Sequence, residues 1–165
     1  MTALTGHQEI DRQHERLDSI IAHLDLVCAN RQAGAPDCLN CPEASFSACN
    51  NRLADLIADL LGFMVEHFSY EEKLMRFLPD SEVCRRHISA HQQAHGEISR
   101  LLSELTANLD RDNPRQSALH LQHIARAWMG GHARIFDSVL ASSLEGAYAV
   151  ELDYDQELIR LLSNT

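Results

Sequence analysis

"NRLADLIADLLGFMVEHFSYEEKLMRFL", residues 51–78, sets its apolar side chains at Leu53, Leu56, Leu60 and Met64. These are the three- and four-residue steps of a helix buried on one face. Continued at the same steps, the stripe lands on His67, then Glu71, then Leu74 and Leu78. A helix in water thus turns an imidazole and a carboxylate toward its own core, one turn apart. A polar group buried without a partner costs about 1–3 kcal/mol, so other helices must supply partners.

Three further helices are predicted around this one. Thr5 and Gln8 have the spacing of a capping box, and a helix from there to about Asn30 has the stripe Ile10, His14, Leu17, Ile21, Leu24, Cys28. "RQAGAPDCLNCPEASFSACN", residues 31–50, contains Gly34, Pro36 and Pro42 and is read as a long loop. Pro79 ends the second helix, and Asp80 or Ser81 caps a third with the stripe Cys84, His87, His91, Ala94, Ile98, Leu102, Leu105, Leu109. Asn113 followed by Pro114 starts a fourth, which buries Leu121, Ile124, Trp128, His132, Ile135 and Val139. A tail helix is expected over about 149–163. The expected fold is all-α: one domain over 1–165, an up-down-up-down four-helix bundle over about 8–145 with a short C-terminal tail helix.

Composition narrows the partners. A chain of 165 residues with 45% hydrophobic residues buries a sizeable core. Its net charge of −10 disfavours nucleic acid and anionic membranes. No apolar run is long enough for a bilayer, and the first residues lack the pattern of a signal peptide. A cytoplasmic protein with reduced cysteines is expected.

The ten histidines are the unusual entry in the composition. His14 and His67 lie equally far from the first predicted loop, Glu71 and His87 nearly so from the second, and His91 and His132 from the third. All four helices therefore bring histidine to one height. Neutral imidazoles have one donor and one acceptor each and do not satisfy one another as a group; metal ions do. Imidazole with carboxylate suits zinc, iron, copper or nickel. The zinc-protease pattern H-E-x-x-H is absent, as is the Glu-x-x-His pair of ferritin-like di-iron proteins. His7, His23, His95, His120 and His123 are read as surface or supporting residues, with His95 the nearest of them to the site.

His14 in "DRQHERL", His67 and Glu71 in "HFSYEEKLM", His87 and His91 in "HISAH", and His132 and Asp137 in "WMGGHARIFD" resemble the seven-ligand pattern of the hemerythrin family, in order, from about Ile10 to Val139. The resemblance implies a non-haem di-iron centre that binds dioxygen reversibly. By position, His87, His91 and His132 would hold one iron and His14 and His67 the other. Glu71 and Asp137 would bridge both, together with an oxo or hydroxo group, which leaves one position open for dioxygen. Trp128, Phe68 and Met129 are candidate apolar walls. Asp137 stands five residues after His132, about 140° around a regular helix. A widened, π-like turn is expected between them, eased by Gly130 and Gly131.

Two features depart from the family pattern. The long loop carries Cys38, Cys41 and Cys49, with Cys28 before it; these could form a separate zinc site, a thiol–disulfide switch or plain thiols. The tail beyond Val139 could pack on the bundle, make a homodimer contact or meet a signalling partner. Three functions are therefore in view. They are dioxygen binding for storage, delivery or sensing; a di-iron oxidase, peroxidase or nitric oxide reductase on the same ligands; and a signalling module reporting through the loop or tail.

Overall fold

The computed structural model describes residues 4–28, 38 and 40–146. Four long helices form the bundle: α1 (Gln8–Leu24), α2 (Glu43–Met75), α3 (Glu82–Ala107) and α4 (Pro114–His132). A π-helical turn, Ala133–Asp137, continues α4 into a last short helix, α5 (Ser138–Leu144). No strand occurs among the described residues. Helices α1 and α3 each lie against α2 and α4. Cross-links fix the directions. Gln13 meets His67 while Arg52 reaches the Leu26 carbonyl, and His14 meets Asp137 while Gln122 reaches the Ile21 carbonyl. Asn50 Nδ2 donates to the Arg111 carbonyl just past α3, which sets α3 antiparallel to α2 as well, so successive helices are antiparallel and the bundle is the up-down-up-down form.

Local chemistry sets the helix ends: α1 stops at Leu24, short of the expected Asn30, and the helix starts bring two corrections to the sequence reading. Helix α1 is capped by His7, whose ring Nδ1 accepts from the Ile10 amide at 3.4 Å, rather than by a Thr5–Gln8 box. Thr5 instead donates its amide and hydroxyl to the Asp11 carboxylate, at 2.7 and 2.8 Å. The second correction is larger. Residues 43–50, expected in the loop, are helical, because α2 begins directly after Pro42 and the Phe46 amide bonds the Pro42 carbonyl at 2.9 Å. Half-buried Phe46, buried Cys49 and buried Leu53 extend the stripe of α2 upstream. Further on, Ser81 caps α3 by accepting from the Cys84 amide, and Asn113 caps α4 with Pro114 at its first position, both as expected.

The predicted stripes form the core. Leu17, Ile21, Leu60, Phe63, Ile98, Leu102 and Leu121 are each no more than 2% exposed. A smaller cluster at the other end joins Ile10, Met75 and Leu140. On the last helix the stripe slips by one residue: Val139, expected inside, is half-buried, while Leu140 and Ala141 are buried. The π turn causes the slip, and it begins after Gly130 and Gly131, which lie in regular helix. The expected tail helix over 149–163 lies outside the described residues. No helix among the described residues is long and apolar enough to cross a membrane.

Candidate metal centre

All seven residues of the pattern are buried between the two apolar clusters: Glu71, His91 and Asp137 at 0%, His67, His87 and His132 at 1%, His14 at 2%. The equal spacing counted from the first loop does not hold at the observed helix ends, since α2 overhangs α1. His14 and His67 still meet, with ring centroids 5.5 Å apart.

The imidazole Nε2 atoms turn inward onto the two carboxylates. His14 Nε2 lies 2.8 Å from Asp137 Oδ2. His132 Nε2 lies 3.0 Å and His91 Nε2 3.3 Å from Asp137 Oδ1. His91 and His67 Nε2 lie 3.4 and 3.5 Å from Glu71 Oε2. His91 and His132 also face each other Nε2 to Nε2 at 3.0 Å. Among the described residues two groups have ligand atoms all within 4.8 Å of one another: His67, Glu71, His132 and Asp137; and Glu71, His91, His95 and His132. His14 adjoins the first through Asp137. His87 sits one turn before His91 with ring centroids 5.3 Å apart, outside both tight groups.

The donor set fits a metal ion. Two ligands ~2.1 Å from one ion at right angles lie about 3 Å apart, the separation seen between these nitrogens. Glu71 Oε1 is buried with no hydrogen-bond partner, a costly state that coordination would relieve. Imidazole–carboxylate donors of this kind suit a borderline transition metal.

Electrostatics point the same way. Burial and the neighbouring Asp137 both raise the Glu71 carboxyl, but His91, His67 and His132 outweigh them and hold it well below its ordinary range. Burial likewise raises Asp137, and His132 above all pulls it down. Burial lowers His132, yet Asp137 and Glu71 overcome this and push it up to about 9. Burial takes His87 down to about 3 and His95 to about 3, and lowers His67. In the metal-free protein two ionised carboxylates thus hold a proton on His132, which a bound cation would displace, while His67, His87 and His95 are held neutral with lone pairs available.

Sequence reasoning did not find Gln13. Its Oε1 accepts from His67 Nδ1 at 2.8 Å, and its Nε2 donates to Glu9 Oε1 at 3.0 Å. The amide is therefore oriented, His67 carries its proton on Nδ1, and the Nε2 lone pair faces the carboxylates. The available signal was position, since Gln13 lies three residues after Ile10 and four before Leu17. His95, expected as a supporting residue, is in the cluster itself, 4% exposed and with Nε2 3.1 Å from Glu71 Oε2. Of the other four, His7 is half-buried and His23, His120 and His123 are exposed.

The candidate walls lie against the cluster. Trp128 stacks on His132 with centroids 4.4 Å apart and meets Phe68 edge-on at 5.7 Å. Met129 is buried in the same apolar core. The cysteines do not assemble into a ligand group among the described residues, and none is in a disulfide. Cys38 Sγ donates to Asn113 Oδ1 at 3.4 Å, and Cys49 packs in the core.

No curated protein and no solved structure matches the chain. One family model does, the hemerythrin HHE cation binding domain, over residues 5–143. That span takes in all four helices and every residue of the buried cluster, and the chain belongs to the hemerythrin HHE cation-binding family.

Proposed function

We propose that this chain is a cytoplasmic non-haem di-iron protein that binds dioxygen reversibly, for storage, delivery or sensing. The observation that carries the proposal is the pair of fully buried carboxylates, Glu71 and Asp137, facing the inward-turned Nε2 atoms of histidines from all four helices. His87, His91 and His132 would hold one iron, His14 and His67 the other, and both carboxylates would bridge them with an oxo or hydroxo group. The iron pair, when bound, supplies the electrons that dioxygen needs in order to bind. The protein's part is to hold and shield. Gln13 fixes the His67 ring, and Asp137 and Glu71 set buried negative charge against the cations. Phe68 and Trp128 lie against the cluster's rings with apolar surface, and Met129 is in the same apolar core. Beyond them lies a hollow lined by Leu17, Leu60, Met64, Ile98 and Trp128 among others, with no room for a water molecule. These tight apolar surroundings support a carrier over an enzyme that must admit a larger substrate and a reductant.

Iron analysis with optical spectra of the reduced protein, before and after air, tests the proposal. Two irons per chain and a colour that reverses when oxygen is withdrawn are expected. His87→Ala is expected to lower iron content, and Glu71→Gln to lower it further, because it removes a buried charge as well as a bridging ligand. His123→Ala, on the exposed face of α4, serves as the control. Immediate irreversible oxidation in air, with rapid turnover of peroxide or nitric oxide, would replace the carrier by the oxidase, peroxidase or reductase on the same ligands.

A further inference from the structure

Helix α3 carries three histidines at four-residue spacing, His87, His91 and His95. Each step of four rotates a side chain about 40° around the helix, so the three imidazoles form one gently winding row. The third of them does not behave as a supporting residue. Its Nε2 lies 3.1 Å from Glu71 Oε2 and 3.2 Å from His132 Nε2. The corresponding distance from His91 Nε2 to His132 is 3.0 Å. His132 Nε2 is thus flanked by two other imidazole Nε2 atoms at nearly equal range. Each Nε2 carries either one proton or one lone pair, so three such nitrogens and a carboxylate oxygen cannot all pair with one another through protons. A shared cation satisfies all four.

The ring is also fixed in place. It stacks on Phe68 with centroids 3.8 Å apart and planes 13° from parallel. Its far nitrogen, Nδ1, is buried without a hydrogen-bond partner, 3.8 Å from Glu72 Oε1.

We propose that His95 is itself a metal ligand of this centre, a sixth imidazole beyond the five of the family pattern. The inference rests on the di-iron reading and deepens it. With two bridging carboxylates and a bridging oxygen, five imidazoles leave one position of two six-coordinate ions open; a sixth fills it. Any outside ligand must then displace His95, which stacks on Phe68, one of the candidate walls, and lies beside His132. The centre is closed by its own protein and opens only on exchange.

The test is azide titration of the ferric protein, followed optically, with iron counted per chain, for the unaltered protein and for His95→Leu. If His95 occupies the position nine-tenths of the time, its removal tightens apparent azide binding about tenfold, since affinity scales with the competent fraction. The variant is also expected to surrender iron to a chelator faster. Equal azide affinity within about twofold, with iron retained in both, would overturn the assignment and leave the di-iron reading standing. An unaltered protein that binds no iron would sink both together. Loss of iron from a His95→Leu chain that keeps its helical circular dichroism supports the assignment. Should that variant unfold, His95→Gln, polar and nearly the same size but a poor ligand, decides by the same titration.

Discussion

Replacing Gln13 by leucine isolates one hydrogen bond that no ligand motif contains. The ring of His67 is 1% exposed, and its Nδ1 proton goes to Gln13 Oε1 at 2.8 Å. In Gln13→Leu that donor has no acceptor, at a cost of about 1–3 kcal/mol. The imidazole can escape the cost by moving its proton to Nε2, but it then points a hydrogen, not a lone pair, at the carboxylates. In that case metal binding must restore the unfavourable tautomer; a ring that keeps its Nδ1 proton instead bears the cost in folding. At about 1.4 kcal/mol per factor of ten, the expected loss of affinity is about 5- to 150-fold, which brackets the roughly 10–100-fold usual for outer partners of metal ligands. Competition for cobalt(II) between the metal-free protein and a coloured chelator measures it directly. Gln13→Glu keeps the acceptor but sets a second carboxylate beside Glu9, and is expected to fall between. Affinity within twofold of the unaltered protein in Gln13→Leu, alongside a large loss in His67→Ala, would refute the orienting role.

Two further outcomes bear on stability. Leu60→Ala, at a side chain 2% exposed in the main core, is expected to cost about 2–5 kcal/mol, read as a lowered urea midpoint with unchanged slope. In the metal-free protein, His87 and His95 sit at about 3, so only the unfolded chain takes up their protons near pH 6.5. Their contribution is present above that pH and lost as pH falls. His132, at about 9, acts oppositely: its contribution is full below about 6.5 and lost as pH rises through about 9. Urea midpoints of metal-free protein should peak near neutrality, and a flat profile from about pH 5 to about pH 9.5 would contradict this.

The sequence makes the stripes plain because each helix must bury one face, and burial restricts residue type at every third or fourth place. That is why His67 and Glu71 stand out in α2, and why Ser81, Asn113 and Pro114 mark starts. The start of α2 was obscured because Pro42 serves equally as a loop residue and as the residue before a helix, and "EASFSACN" has only Phe46 and Cys49 to show a face. His95 was visible as the third member of a four-residue series, but Ala94, beside it, fits the apolar stripe as well and took the buried place. Gln13 carries no signal of type, since an amide next to a buried histidine is ordinary on any helix. Ligands are read from chemistry; the residues that aim them are read only from geometry.

The π turn makes the sharpest link between sequence and site. Along a regular helix Asp137, five residues past His132, would point about 140° away from it, whereas a residue four places on points only about 40° away. The observed turn absorbs the surplus residue. The Ser138 amide reaches back five residues to the Ala133 carbonyl, and the Ser138 hydroxyl donates to the same oxygen at 2.8 Å. Asp137 thereby takes the place of a fourth residue, and Leu140 and Ala141 follow it inside while Val139 moves out. Exposed Arg134 is then, in phase, the extra residue of the chain. Its deletion should leave a regular helix in which the Ser138 amide reaches the same Ala133 carbonyl four residues back, with Asp137, Leu140 and Ala141 still on the buried face. The shortened protein is expected to fold, to keep a urea midpoint near that of the full chain and to bind metal. Deleting Arg126, exposed within the regular part of α4, rotates everything beyond it by about 100° and should abolish both. Circular dichroism melts and metal titration of the two deletions decide it. If loss of Arg134 is as damaging as loss of Arg126, the turn is not an inserted residue, and the alignment of Asp137 with His132 needs another cause.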